Sequence, residues 1–328
     1  MVFVWILLFL ISLVASLTVW EGGLRTSLRH KYPLPGQLIS AGAHRLHLHC
    51  QGEGKVTVIL EDGMGHAGSL SWFKVQPAIA TFTRVCSYDR AGLMWSEPSG
   101  KAPTVEQQVH DLHTALTNAQ IEPPYVLVGT SMGGIYVRAF THYYPDEVVG
   151  LVLVESAHPE QEDRFPPMPK GRSPAFGQDL SDRLSAACEI LRLRHRLLPH
   201  PNSRRLPVAI LPLLEAFAPQ SLAATKAEER LFLANLQWSQ RLRSLENRPL
   251  IVLTAASTLQ GNNGPDAAQP AAKIWGELQA ELAGLSTQSQ HQIIPDSGHL
   301  LHFDQPDAII VAVRRIVDQV QLPKDMGL

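Results

Sequence analysis

The stretch from Tyr125 to Gly134, YVLVGTSMGG, runs from a short apolar segment straight into a serine enclosed by Gly129, Gly133 and Gly134. Tyr125 to Val128 have the length and side-chain types of a buried strand, and Ile135, Val137, Ala139 and Phe140 continue as a helix that Pro145 ends. Ser131 is therefore predicted on a strand-to-helix hinge. The glycines suit so tight a turn, because side chains at those positions would collide with neighbouring backbone.

The same alternation recurs along the chain. HRLHLHC (44 to 50), VTVILEDG (56 to 63) and FTRVCSYDR (82 to 90) read as strands, followed by a helix in which Val109, Leu112 and Leu116 recur at helical spacing. Thr104 and Gln107 make a capping box at its start. After the hinge come a strand from Val148 to Ser156, the strand PLIVLTA (249 to 255), a helix through Ile274 to Leu282, the strand HQIIP (291 to 295) and a final helix with Pro306 at its start. Alternating strands and helices build a mostly parallel sheet with helices on both faces, and such sheets gather their catalytic residues at the carboxyl ends of the strands. In HRLHLHC, Arg45, His47 and His49 form the polar face of what reads as a solvent-facing edge strand rather than a metal site. From 157 to 248 the pattern changes to prolines, arginines and amphipathic helical segments without a clear strand, which predicts a helical insertion over the sheet.

The first twenty residues carry no charge and are as long as a segment crossing the hydrocarbon core requires, so 1 to 20 are expected to be a membrane anchor and 21 to 36 a linker containing Pro33 and Pro35. A cleaved signal peptide is the rival reading, but it would want a positive n-region and a shorter apolar core. Arg25, Arg29 and Lys31 after the apolar run favour the cytoplasmic side for the folded domain. The folded core is expected in two parts, 37 to 156 and 249 to 328. A formal net charge of −2 gives no field that recommends nucleic acid as a partner. The cysteines Cys50, Cys86 and Cys188 have no metal-ligand spacing and are odd in number, which argues against a disulfide-stapled scaffold; Cys86 reads as a small core residue. The basic stretch from 192 to 205 in the insertion reads equally as a contact for anionic lipid or as a solvated helix face.

Gly129-Thr130-Ser131-Met132-Gly133 fits G-x-S-x-G, the turn that exposes a nucleophilic serine above a sheet. A serine hydroxyl needs a base, and the base needs an orienting acid. His299, in the Ser-Gly-His turn beyond the last predicted strand, is the candidate base, ahead of His302. The acid commonly follows the strand before the last, yet ASTLQGNNG has no carboxylate until Asp266. Glu155, at the end of the preceding predicted strand, is the preferred acid and Asp266 the alternative. Backbone N–H groups of Met132 and of Met64, in the glycine turn Glu61 to Gly65, are the candidate oxyanion donors.

These residues together resemble the α/β-hydrolase fold family, from about residue 37 to the end. Besides the hinge, SYDRAGLMWSEP (87 to 98) looks like the family's Asp-Arg-Ala-Gly-x-x-x-Ser loop. The resemblance implies that the 157 to 248 insertion is a cap that closes the pocket and sets substrate preference, and serine at the hinge tells against the epoxide-hydrolase and haloalkane-dehalogenase branches. His299 and Asp304 also match H-x-x-x-x-D, a pattern associated with acyltransferases, although Asp304 is more simply read as a helix cap.

The expected function is a membrane-anchored serine hydrolase acting on a small-molecule carboxylic ester or related acyl compound, lipid-like in character, through an acyl-enzyme and with no metal or organic cofactor. Acyl transfer, amide or peptide hydrolysis, and a binding member of the fold that has lost catalysis are the other readings.

Overall fold

The computed structural model describes residues 2–65, 67–165, 206–260 and 269–321. Eight strands form one sheet: β1 (Gln37–Ser40), β2 (Arg45–Gln51), β3 (Thr57–Glu61), β4 (Arg84–Tyr88), β5 (Tyr125–Thr130), β6 (Val148–Val154), β7 (Leu250–Ala255) and β8 (Ser289–Ile294). Their spatial order is β1-β2-β4-β3-β5-β6-β7-β8. The β1/β2 and β2/β4 pairs are antiparallel and all the others parallel. The longer helices are α1 (Val2–Lys31), α2 (Val105–Asn118), α3 (Gly133–Tyr143), α4 (Leu211–Ser239), α5 (Gln269–Ala283) and α6 (Pro306–Gln321).

Parallel strands need crossover helices, so both faces of the central sheet are covered and its strands are apolar throughout. β3, β5 and β7 are buried along their whole lengths, whereas β8, at an edge, is only half-buried. One face packs on Val109, Leu112 and Leu116 of α2 and Ile135 and Phe140 of α3, and the other on Ile309, Val313 and Ile316 of α6. α2 starts where the capping chemistry places it: Thr104 Oγ1 accepts from the Gln107 N–H at 3.2 Å.

Three expectations need correcting. β2 is an interior strand, not an edge, and His47 is 0% exposed. Its Nδ1 lies 2.8 Å from Asp89 Oδ2 and its Nε2 2.5 Å from the Pro35 carbonyl, with the Trp95 ring over it. Burial alone would lower this imidazole's pKa, but the Asp89 carboxylate and the Pro35 carbonyl together raise it. The polar alternation was real; at His47 the chain before β1 covers that face. Secondly, Cys50 and Cys86 stand directly opposite each other on β2 and β4 and form a disulfide, a pairing that a cysteine count cannot see. Thirdly, α1 runs through most of the expected linker to Lys31. No helix among the described residues is long and apolar enough to cross a membrane. Many of the apolar side chains described on α1, including Val4, Trp5, Phe9 and Trp20, are exposed nonetheless.

Between β6 and β7 the described residues hold a short helix, Gln161–Arg164, and α4, which crosses over the carboxyl ends of the strands. The basic stretch 192 to 205 lies outside the described residues. α4 is fastened to the core by a buried guanidinium. Arg90 Nη1 donates to Glu61 Oε1 at 2.8 Å and to the Asp62 carbonyl at 2.7 Å, and Nη2 donates to the Gly63 carbonyl at 2.8 Å. The other edge of the same guanidinium makes a bidentate pair with Glu228 of α4, at 2.7 and 2.9 Å. Breaking such a pair strands a buried charge, so Arg90→Met is expected to lower stability by roughly 3–5 kcal/mol, read as a shift of the urea unfolding midpoint.

Candidate active site

The site lies where β3, β5, β6 and β7 end. β5 finishes at Thr130 and α3 begins at Gly133, leaving Ser131 and Met132 to make the turn. Ser131 has φ +50°, a left-handed conformation uncommon for a residue with a side chain, and it is held there by hydrogen bonds from its N–H to the Val154 carbonyl and from the Ala157 N–H to its own carbonyl. The glycines are there for space. A Cβ on Gly129 would fall 2.6 Å from the Gly133 backbone, one on Gly133 would fall 2.6 Å from the Glu61 carbonyl, and one on Gly134 would overlap Ser156.

Glu155, directly after β6, has the same signature, φ +46°, and is fully buried. Its carboxylate accepts from the Ala255 N–H at 2.6 Å, Thr258 Oγ1 at 3.0 Å and Trp275 Nε1 at 3.2 Å. His299 Nδ1 is 3.2 Å from Glu155 Oε2, and His299 Nε2 is 3.2 Å from Ser131 Oγ. The three side chains form one continuous relay. Sequence reasoning missed Thr258 and Trp275. Its signal was the loop after β7: the place where an acid commonly stands supplies Ala255 and Thr258 as donors to an acid on the neighbouring strand. Asp266 lies outside the described residues.

His299 sits on the loop between β8 and the short helix Leu301–Asp304, half-exposed towards the cavity. Asp304 Oδ2 accepts from the Gly298 N–H at 2.9 Å and Ser257 Oγ donates to the Ser297 carbonyl at 2.6 Å, so both sides of the His299 turn are tethered. Of the two candidate oxyanion donors, Met132 is the N-cap residue of α3, where backbone N–H groups have no intrahelical partner. Met64 lies on the loop after β3, on the cavity wall beside Ser131. That loop approaches the serine closely at Gly63, where an added Cβ would be 3.0 Å from Ser131 Cβ.

The cavity over Ser131 has a volume of about 300 Å³ and is lined from three sides: the loop after β3, the His299 loop with His302, and Leu214 and Thr225 of α4. Its chemistry fits addition of the serine oxygen to a carbonyl. A hydroxyl is hydrogen-bonded to an imidazole, and the imidazole to a buried carboxylate.

The model of the Alpha/beta hydrolase family matches residues 46–313, and the chain belongs to that family. The Bacillus subtilis protein YqjL is 24% identical over 265 residues, covering 81% of this chain and 85% of that protein. A probable transporter, efuK, of Hormonema carpetanum is 34% identical over 147 residues; the match takes 42% of this chain and only 20% of that protein's length. Among solved structures, a thermophilic esterase from Thermogutta terrifontis aligns with a TM-score of 0.55 at 21% identity, over 87% of this chain and 98% of that one. At that identity the likeness shows the fold. The family match supports a hydrolase of this fold.

His302 is 3% exposed, packed against Trp72 and Phe303 and close to His299. Burial, with a smaller contribution from His299, pushes its pKa down to about 3. The unfolded chain takes up a proton there near pH 6.5, while the folded chain does not until about pH 3. Folding stability should therefore fall between those values, by an amount on the order of a few kcal/mol. His302→Phe should flatten that part of the curve in urea unfolding measured from pH 7 to pH 4.

Proposed function

We propose that this protein is a serine hydrolase that cleaves a carboxylic ester through an acyl-enzyme. The observation that carries the reading is the relay Ser131–His299–Glu155, built at a strained turn on the floor of a cavity. In the proposed cycle His299 Nε2 removes the Ser131 proton as Oγ adds to the ester carbonyl, and Glu155 holds the ring and stabilises the imidazolium. The oxyanion is received by the N–H groups of Met132 and Met64. The tetrahedral intermediate collapses as His299 protonates the leaving alcohol. Water, deprotonated by the same histidine, then releases the acid and returns Ser131. We assign the insertion between β6 and β7, α4 included, as the cap over this cavity.

We further propose that the exposed apolar segment on α1 is embedded in a membrane. Sequence length and apolar character support this, as does a Saccharomyces cerevisiae relative described as a vacuolar membrane protein, 28% identical over 40% of this chain. Disulfides persist in oxidising compartments, so the Cys50–Cys86 pair favours the side of the membrane away from the cytosol, against the orientation suggested by the basic flank.

Three measurements test these readings. Fluorophosphonate labelling and p-nitrophenyl ester turnover should both vanish in Ser131→Ala; a mutant that still labels would remove Ser131 as nucleophile. Glu155→Gln should lower kcat on the order of 10³–10⁴-fold, with Asp266→Asn within about twofold of wild type; the reverse result would give the acid role to Asp266. In protein from its native host, the protein should stay in the carbonate-washed membrane fraction, and Cys50 and Cys86 should escape alkylation until reductant is added.

A further inference from the structure

All five N–H groups of the Arg90 guanidinium are engaged. Three bonds go to the carboxylates of Glu61 and Glu228, which is what a buried cation needs for its charge. The other two go to consecutive backbone carbonyls, Asp62 at 2.7 Å and Gly63 at 2.8 Å, on the loop whose Gly63 lies against Ser131. Charge pairing does not call for those two bonds. What they fix is the orientation of the loop's peptide planes.

A peptide unit is planar, and in the trans form its C=O and N–H point in opposite directions. The Gly63–Met64 bond is trans, and its carbonyl is turned to the guanidinium. The Met64 N–H therefore points away from Arg90. The guanidinium is in the core, 2% exposed, with its Cζ 5.3 Å from the centre of the Tyr136 ring. The loop's other side is the cavity wall, where Gly63 and Met64 stand with Ser131. Neighbouring groups of the loop are occupied: the Gly63 N–H donates to Asp62 Oδ1 at 2.8 Å, and the Gly65 carbonyl accepts from Thr225 Oγ1 of α4 at 3.0 Å. Among the described residues the Met64 N–H has no acceptor, and neither has the Met132 N–H.

Resting on the hydrolase reading above, we propose that Arg90 is a positioning residue for the oxyanion site: by holding the Asp62 and Gly63 carbonyls it aims the Met64 N–H at the oxygen that becomes charged when Ser131 adds to the ester. Arg90 touches no reacting atom, and its action passes through one peptide plane. A lysine in its place keeps the charge but has three donors on a flexible stem, too few for two carboxylates and two carbonyls in this arrangement. The same guanidinium ties α4 to this plane, so the roof of the cavity and the oxyanion donor share one anchor.

The test is a double-mutant cycle on p-nitrophenyl butyrate turnover by the full-length protein, with kcat expressed per folded molecule from urea unfolding curves. Met64→Pro removes the N–H itself and should lower kcat on the order of 10²–10³-fold. Arg90→Lys should lower kcat by at least about tenfold with KM within about threefold, and should change kcat by less than about twofold in the Met64→Pro background. Glu228→Gln, which loosens α4 and leaves both carbonyl bonds, should keep kcat within about threefold of wild type. Arg90→Lys and Met64→Pro effects that multiply would overturn the inference, since a role in stability alone acts whether or not the N–H is present.

If Arg90→Lys does not fold, NMR of wild type carrying nitrogen-15 at arginine and methionine decides, with hexyl trifluoromethyl ketone as the probe. Ser131 Oγ bonds to the ketone carbon, the serine proton passes to His299 and the carbonyl oxygen becomes the oxyanion. An N–H donating to that oxygen polarises its peptide and strengthens the Gly63 carbonyl as an acceptor. The Met64 amide and Arg90 Nη2 protons should therefore both shift downfield; a Met64 shift without the Arg90 shift, or no Met64 shift, overturns the inference. A wild type that neither turns over the ester nor adds the ketone defeats the hydrolase reading and this inference with it, whereas every other failure falls on the inference alone.

Discussion

The geometry of the site depends on one buried cation. Arg90 is 2% exposed, and its guanidinium holds together the end of β3, the carbonyls of Asp62 and Gly63, and Glu228 on α4. A charge in that position must be paired, and its planar donors fix two directions at once. One edge sets the loop that comes closest to Ser131; the other anchors the helix that roofs the cavity. Glu61 feels the same balance: burial pushes its carboxyl up to about 7, while Arg90 and Tyr88 oppose the rise. The Asp-Arg-Ala-Gly loop is thus remote from the reacting atoms yet holds both walls of the cavity in place.

A second constraint is geometric. Ser131 and Glu155 both have left-handed backbone at the ends of adjacent strands, and hydrogen bonds across β5, β6 and β7 hold both turns. Strain of this kind persists only where the surroundings over-determine it. The result is a hydroxyl raised above the sheet and a carboxylate turned back into the core beneath His299. Four donors surround that carboxylate, from Ala255, Thr258, Trp275 and His299, so it can be buried and still oriented.

Local patterns were the legible part of this chain. The elements from β2 to α6 fall where apolar periodicity, the Thr104 cap and proline positions place them, because those signals act over a few residues. Ser131 was legible because G-x-S-x-G joins a strand to a helix, and His299 because its turn follows the last strand. His47 was misread because alternation shows that a face is polar but not what covers it. Cys50 and Cys86 were misread for a related reason: strand register, not spacing along the chain, sets them opposite each other. β1 gave no signal of its own and exists through its pairing with β2.

By itself, the sequence determined a mostly parallel sheet with helices on both faces, a serine on a strand-to-helix turn, a histidine after the last strand and an apolar N-terminal segment. These follow from contacts between residues near one another in the chain. Only the tertiary structure decided which carboxylate meets His299 and which loop lies against Ser131. Those juxtapositions join residues up to more than a hundred positions apart. They are set by strand order and crossover packing, and no local pattern encodes either.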